Sequence, residues 1–390
     1  MDAPGPLSQL KVLDLSRLLP GPYATLVLAD LGASVDVLED PRGGDPLRQM
    51  PPQADDESAG FYALYRSKRS FTLDLKRPEC VAAVKRLVRH YDVLVESFRP
   101  GVMDKLGLSY AALSAENPRL IYCSITGYGQ TGPDRLRAGH DLGYIARAGA
   151  LGYGGPPDGP PMQPGVQVGD IGGGSLFALV GILAALHERA STNRGRHLDV
   201  SMTDGATAFM HLHLAARLVA GAAAAPLARG AEALNGGYPG YGVYRCADGK
   251  SLAVGALEPK FLSGVLEKLG RSDLLADCYS LGEGTARARK ILEGIFASRP
   301  RAAWLSLFAD ADVCIEPVHE GGEVLEDPQL RARGLFVTAH DAQRGRDVTH
   351  LRTPLQLGPF APRPPPTLGQ HTREVLSEAG FTADEIAVLG

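Results

Sequence analysis

Two ionisable residues in this chain sit beside glycines, at places where an apolar segment of helical spacing is about to begin. His140 stands in Ala138-Gly139-His140-Asp141-Leu142, and Asp170 in Val168-Gly169-Asp170-Ile171-Gly172-Gly173-Gly174. A helix N-terminus carries positive potential, which favours an ionised aspartate and a neutral imidazole. Those are the forms a general base requires. Carboxylates at such boundaries also serve as plain caps for orphan backbone donors, and Asp141 reads as one. A cap alone explains Asp170 less well. Three glycines follow it, at a cost to the helix, and glycine there suits a ligand that must approach the backbone closely. By residue type alone, a structural histidine is the better reading of His140.

Other motifs carry less. Gly127, Gly129 and Gly132 in GYGQTG match the glycine pattern of a dinucleotide loop, but Pro133-Asp134-Arg135 continues a loop where a helix should open. No P-loop, no GxSxG elbow and no HExxH occurs. Arg66, Lys68, Arg69 and Lys76 form the densest basic group, readable as a solvated face or as a phosphate site. The five cysteines, Cys80, Cys123, Cys246, Cys278 and Cys314, lie far apart. They suggest small buried side chains in a reducing compartment, with neither zinc nor disulfides.

The elements that must hold these residues follow from the apolar pattern. Leu10 to Leu15, Ala33 to Leu38, Phe71 to Leu75, Asp92 to Glu96, Leu120 to Ile125 and HLDVSM from His197 read as strands. Glu79 to His90 and the segment after Val168 read as helices between them. This alternation predicts an α/β, Rossmann-like large domain with a parallel sheet. Ala206 to Ala233, rich in alanine, reads as a linker helix, and Gly242 to Leu257 as a hairpin turning at Asp248-Gly249. The predicted division is a large domain over 1–205, completed by about 335–390, a linker over 206–232, and a smaller α+β domain over 233–334.

The chain has 390 residues, 44% hydrophobic and 22% charged, with a formal net charge of -4. That balance gives no reason to expect nucleic acid or a membrane surface as partner. The longest apolar run, Leu176 to Leu186, is too short to span a bilayer. No signal peptide and no common peroxisomal tripeptide are visible, so a cytoplasmic location is expected.

In order and spacing, several segments together resemble the family III CoA-transferase (CaiB/BaiF-like) superfamily, most closely its α-methylacyl-CoA racemase branch. They are LKVLDLSRLLPGPYATLVLADLGASV, KRSFTLDLK, SFRPGVMDKLGL, NPRLIYCSITGYGQTGP, AGHDLGY, GDIGGGS, RGRHLDVSMTDG, GVYRCADGKSLAVGALEPKF and DADVCIEPV. The likeness spans nearly the whole chain. It implies the family III CoA-transferase fold in an interlocked homodimer, with acyl-CoA as substrate and no cofactor beyond the CoA that the substrate carries. It matches His140 and Asp170 to two catalytic bases and Glu258 to the acid that orients the histidine. It implies CoA or substrate contacts at Arg42, Lys68, Arg69, Leu73, Asp74, Leu75, Lys76, Arg99, Gly139, Asp141, Tyr144, Gly172 and Gly173. The implied reaction is epimerisation of 2-methylacyl-CoA thioesters through an enolate, its oxygen held by backbone amides after Asp170. A CoA-transferase using Asp170 as nucleophile, and a CoA-binding protein without catalysis, are the alternatives. Two departures stand out. Asp40 occupies a position where the racemases often carry arginine, and Gly143 replaces an asparagine.

Overall fold

The computed structural model describes residues 5–54, 57–225, 227–280 and 282–390. The chain divides into two compact units. The first takes residues up to 148, 165–209 and 328–390; the second takes 149–164 and 210–327.

The first unit is built on six strands: β1 (Lys11–Asp14), β2 (Ser34–Glu39), β3 (Arg69–Thr72), β4 (Val93–Glu96), β5 (Ile121–Thr126) and β6 (His197–Ser201). They pair in the order β3-β2-β1-β4-β5-β6, every pairing parallel. Parallel sheets are covered on both faces, which is why their strands read as unbroken apolar runs. Successive residues of β1 show this: Val12 faces one core and Leu13 the other, both fully buried.

Helix α1 (Pro20–Asp30) covers the first face, opening on a proline whose missing N–H costs nothing there. It buries Ala24, Val27 and Leu28. The opposite face is covered by α2 (Pro78–Leu87), through Cys80, Val84 and Leu87. The chain's end completes that second layer: Val375, Leu376 and Leu389, from helices Thr372–Glu378 and Ala383–Leu389, join the same core. Two further helices matter for the site, α3 (Asp141–Arg147) and α4 (Val168–Thr192). The first nine residues of α4, Val168–Leu176, are wound as π-helix.

Helix α4 corrects the length argument drawn from its apolar core. It runs 25 residues, and an 18-residue stretch of it has a mean hydropathy of 1.7, so by length and composition it could cross a membrane. One side packs on the sheet through Ala178, Leu179, Ile182 and Ala185. The other side exposes Leu176, Phe177, Val180 and Leu183.

The second unit has a three-stranded antiparallel sheet of β7 (Tyr241–Arg245), β8 (Ser251–Gly255) and β9 (Ile315–Pro317). The β7–β8 hairpin turns through Asp248-Gly249, with Gly249 at φ +81°. Tyr244, Leu252, Phe296 and Trp304 are among its core. The alanine-rich stretch is not one linker helix. It breaks between Met202–Ala208 and His211–Ala220, and the latter ends at Gly221, where φ is +58°.

Candidate active site

Strand β5 ends at Thr126, and the glycine-containing loop that follows leads to His140. This histidine takes the N-cap position of α3, with extended backbone at φ −137° and ψ 171°. Tyr144, one turn on, lays its ring between two glycines. A Cβ at Gly127 would lie 2.4 Å from that ring and one at Gly139 2.5 Å from it, so only glycine fits at either place. The glycines of GYGQTG therefore serve a close side-chain approach and a loop, with Gly129 and Gly132 at positive φ.

Asp170 lies in the first turn of α4. Asp141 does cap a helix, but not its own: its Oδ1 accepts the backbone N–H of Asp170 at 2.8 Å. A carboxylate that accepts an orphan N–H fixes the start of the helix. Asp141 thereby positions the segment that carries Asp170.

His140, Asp170 and Tyr144 line one cavity of about 430 Å³ with Arg17, Phe98, Arg99, Arg135 and Arg137. Burial pushes the Asp170 carboxyl up to about 6; the Asp141 charge adds to the rise and His140 opposes it. Burial, and then the Asp170 charge, push the Tyr144 phenol to about 12. A carboxyl near 6 is mostly ionised at neutral pH yet basic enough to accept a proton in a reaction. Four arginines line the same cavity, and Arg137 among them is paired with Asp134 at 3.8 Å. Arg17 also stacks over Phe98, 4.9 Å from the ring centre.

A second cavity, of about 150 Å³, lies at the carboxyl ends of β1, β2 and β3. Its walls hold Arg42, Leu73, Asp74, Leu75 and Lys76, with Asp40, Arg17 and Phe98. Arg17 and Phe98 belong to both cavities. Five residues expected from the sequence thus come together here, and Arg99 joins the larger cavity.

The structure corrects other expectations. Lys68 is only 3% exposed and its ammonium reaches Thr25 Oγ1 at 2.7 Å, Pro22 O at 2.9 Å and Asp14 Oδ2 at 3.6 Å. Burial lowers it to about 8 against the pull of Asp14. Arg69 is spent on Asp36 at 2.7 Å and on Glu374 and Glu378 of the helix Thr372–Glu378. Arg66 is buried against Asp30. These three cations serve the interior of the unit and its C-terminal return; of the basic group, Lys76 alone lines either of these two cavities.

Gly172 and Gly173 are likewise committed to packing. A Cβ on Gly173 would stand 2.5 Å from Met202 O and 2.8 Å from Ala206 N, and one on Gly172 would stand 2.7 Å from the Phe209 ring. The glycine run therefore admits the helix Met202–Ala208. The expected oxyanion amides after Asp170 also fail, because α4 starts before it, and Ile171 N already donates to Gln167 O at 3.0 Å. Glu258 belongs to the second unit, directly before α5 (Pro259–Lys268).

Arg17, Phe98, Arg135 and Arg137 escaped the sequence reading. Arg17 directly follows the first strand and its Asp14-Leu15-Ser16 exit. In open α/β sheets ligands gather beyond the carboxyl ends of the strands, so position alone marked it.

The model of CoA-transferase family III matches residues 7–372. Human α-methylacyl-CoA racemase is 37% identical over 387 residues, covering 98% of this chain and 96% of that protein. Mouse succinyl-CoA:glutarate CoA-transferase is 35% identical, covering 97% and 87%. Among solved structures, a CaiB/BaiF family protein from Brucella suis superposes with a TM-score of 0.82 at 32% identity, covering 97% of this chain and 100% of that one. Racemases and CoA-transferases match at similar identity, and with this fold and these matches along nearly its full length the chain belongs to CoA-transferase family III.

Proposed function

We propose that this chain epimerises 2-methylacyl-CoA thioesters by two-base 1,1-proton transfer. The observation that carries the reading is His140 and Asp170 lining one cavity, with the Asp170 carboxyl at about 6. One base takes the α-proton, the C–H electron pair passes into the enolate, and the other base returns a proton to the opposite face. The thioester α-proton is too weakly acidic for an unaided side chain, so the developing oxyanion needs fixed positive charge. Arg17, Arg99, Arg135 and Arg137 provide it in place of backbone amides. The nucleotide end of CoA is assigned to the smaller cavity, where Leu73 and Leu75 give an apolar wall and Arg42 and Lys76 give cations. Glu258 takes the orienting role on the family likeness alone. The exposed apolar side of α4 supports the homodimer, since contiguous apolar surface of this kind marks interfaces.

The second reading is CoA transfer, favoured by the similar identity of the transferase relatives. There the Asp170 carboxylate attacks the thioester carbonyl, the C–S bond breaks, and CoA leaves as thiolate, giving a mixed anhydride. The thiolate then attacks the Asp170 carbonyl of that anhydride, releasing the donor carboxylate and leaving an Asp170–CoA thioester. The acceptor carboxylate attacks this thioester, and the thiolate it displaces attacks the acceptor carbonyl of the second anhydride, giving the new acyl-CoA and free Asp170. The experiment that decides is incubation with one epimer of a 2-methylacyl-CoA in deuterium oxide, without acceptor acid, following C2 by NMR. Deuterium at C2 with the other epimer appearing supports racemisation. No exchange, followed by transfer once a carboxylate is added, makes Asp170 a nucleophile instead of a base. Full exchange in His140→Ala would sink the two-base assignment.

A further inference from the structure

The sheet order β3-β2-β1-β4-β5-β6 reverses direction between β1 and β4. In sheets of this order, a carboxylate after the second strand accepts ribose hydroxyls, while a nearby arginine accommodates a ribose phosphate. Here both stand together. Asp40 directly follows β2, Arg42 comes two residues later, and both line the smaller cavity.

They are committed to each other. Arg42 Nε donates to Asp40 Oδ1 and its Nη2 to Asp40 Oδ2, each at 2.8 Å. The Arg42 backbone N–H adds a third bond to the same carboxylate at 2.9 Å. Asp74 Oδ1 lies 3.4 Å from the same Nη2. The pairing holds the Asp40 carboxyl down at about 2, so it is ionised at any working pH. Glu39, in the same wall, is neutralised by Arg48 at 2.6 Å. The outer rim therefore sets Asp40 and Asp74 against Arg42 and Lys76, without net positive charge. Arg17, the remaining cation, stacks on Phe98 at the side shared with the larger cavity. A rim so balanced gains little from one more phosphate, whereas a free arginine would form a charge-assisted fork with it.

We propose that Asp40 sets this pocket's dependence on the 3′-phosphate of CoA. By facing the ribose hydroxyls and holding Arg42 paired, it lets the chain accept 3′-dephospho-CoA nearly as well as CoA. The inference rests on the acyl-CoA reading above and adds to it a specificity-determining residue.

The test is calorimetric titration of the full chain with CoA and with 3′-dephospho-CoA, in the wild type, Asp40→Asn and Arg42→Met. The wild type should bind the two within about fivefold of each other. Freeing Arg42 in D40N should raise the preference for CoA by about tenfold, the worth of one hydrogen bond to a charged group. R42M should move the preference the other way, toward none. A wild-type preference above about a hundredfold, or a ratio unchanged in D40N, would overturn the inference while leaving the acyl-CoA reading intact. Binding of neither nucleotide would overturn both.

Discussion

Asp170→Asn should make the fold more stable while abolishing the reaction. In the folded chain the Asp170 carboxyl is raised from its ordinary 3.8 to about 6, first by burial and then by Asp141. A raised carboxyl favours the fold while it is protonated and penalises it once ionised. The penalty is therefore absent below about pH 4, grows as pH rises from about 4 to 6, and is complete above that. At about 1.4 kcal/mol per pH unit, the full rise is worth about 3 kcal/mol, and the residual exposure of the side chain reduces this to about 1–3 kcal/mol. Asparagine keeps the shape and carries no charge. Denaturant unfolding of the wild type and D170N should give a gap of that size in favour of the variant at pH 8, closing toward pH 4. Epimerisation of the 2-methylacyl thioester should be lost in the variant at every pH, because one face of the α-carbon then lacks its base. An equal or lower stability of D170N at pH 8, or a gap that does not change with pH, would refute the claim that burial and Asp141 strain this carboxylate.

Asp141→Asn keeps an oxygen for the Asp170 N–H but removes the charge that raises its carboxyl. The acid limb of the pH–rate profile should move to lower pH, and an unmoved limb would show that Asp141 acts on nothing but backbone position. Lys68→Met leaves Asp14 buried without its cation and should cost about 3–5 kcal/mol in unfolding experiments. The KM for acyl-CoA should stay unchanged, and a raised KM would return Lys68 to the phosphate site. Gly173→Ala drives a methyl to 2.5 Å from Met202 O, against the backbone of the helix Met202–Ala208, and should cost about 1–3 kcal/mol or more. Wild-type stability there would mean that the helix contact yields freely. Val180 is 63% exposed on the apolar side of α4, the face assigned to the proposed homodimer, and Val180→Asp should give a monomer in sedimentation where the wild type gives a dimer. An unchanged mass would remove that face from the interface.

The strands were legible because burial on both faces leaves its mark locally, as an apolar run between turns. The same local reasoning found His140 and Asp170, where a helix start coincides with flanking glycine. It missed the start of α4 by two residues, because the π-helical turn before the glycines is held by Asp141, 29 residues before Asp170. Arg66, Lys68 and Arg69 looked like one basic patch with Lys76, since nothing local distinguishes a cation aimed inward from one aimed at a ligand.

Which segments are strands, which residue types stand ready for acid–base chemistry, and the family all depend on short-range pattern and order along the chain, so they can be read from it. What each charge does depends on packing between distant segments. Lys68 meets Asp14, and Arg69 meets Glu374 and Glu378 about three hundred residues away, while Arg42 meets Asp40 at a cavity mouth. The glycines after Asp170 face Gly205 and its neighbours for the same reason. A side chain's partner is set by which elements pack together, and a sheet order that reverses at β1 brings distant segments side by side.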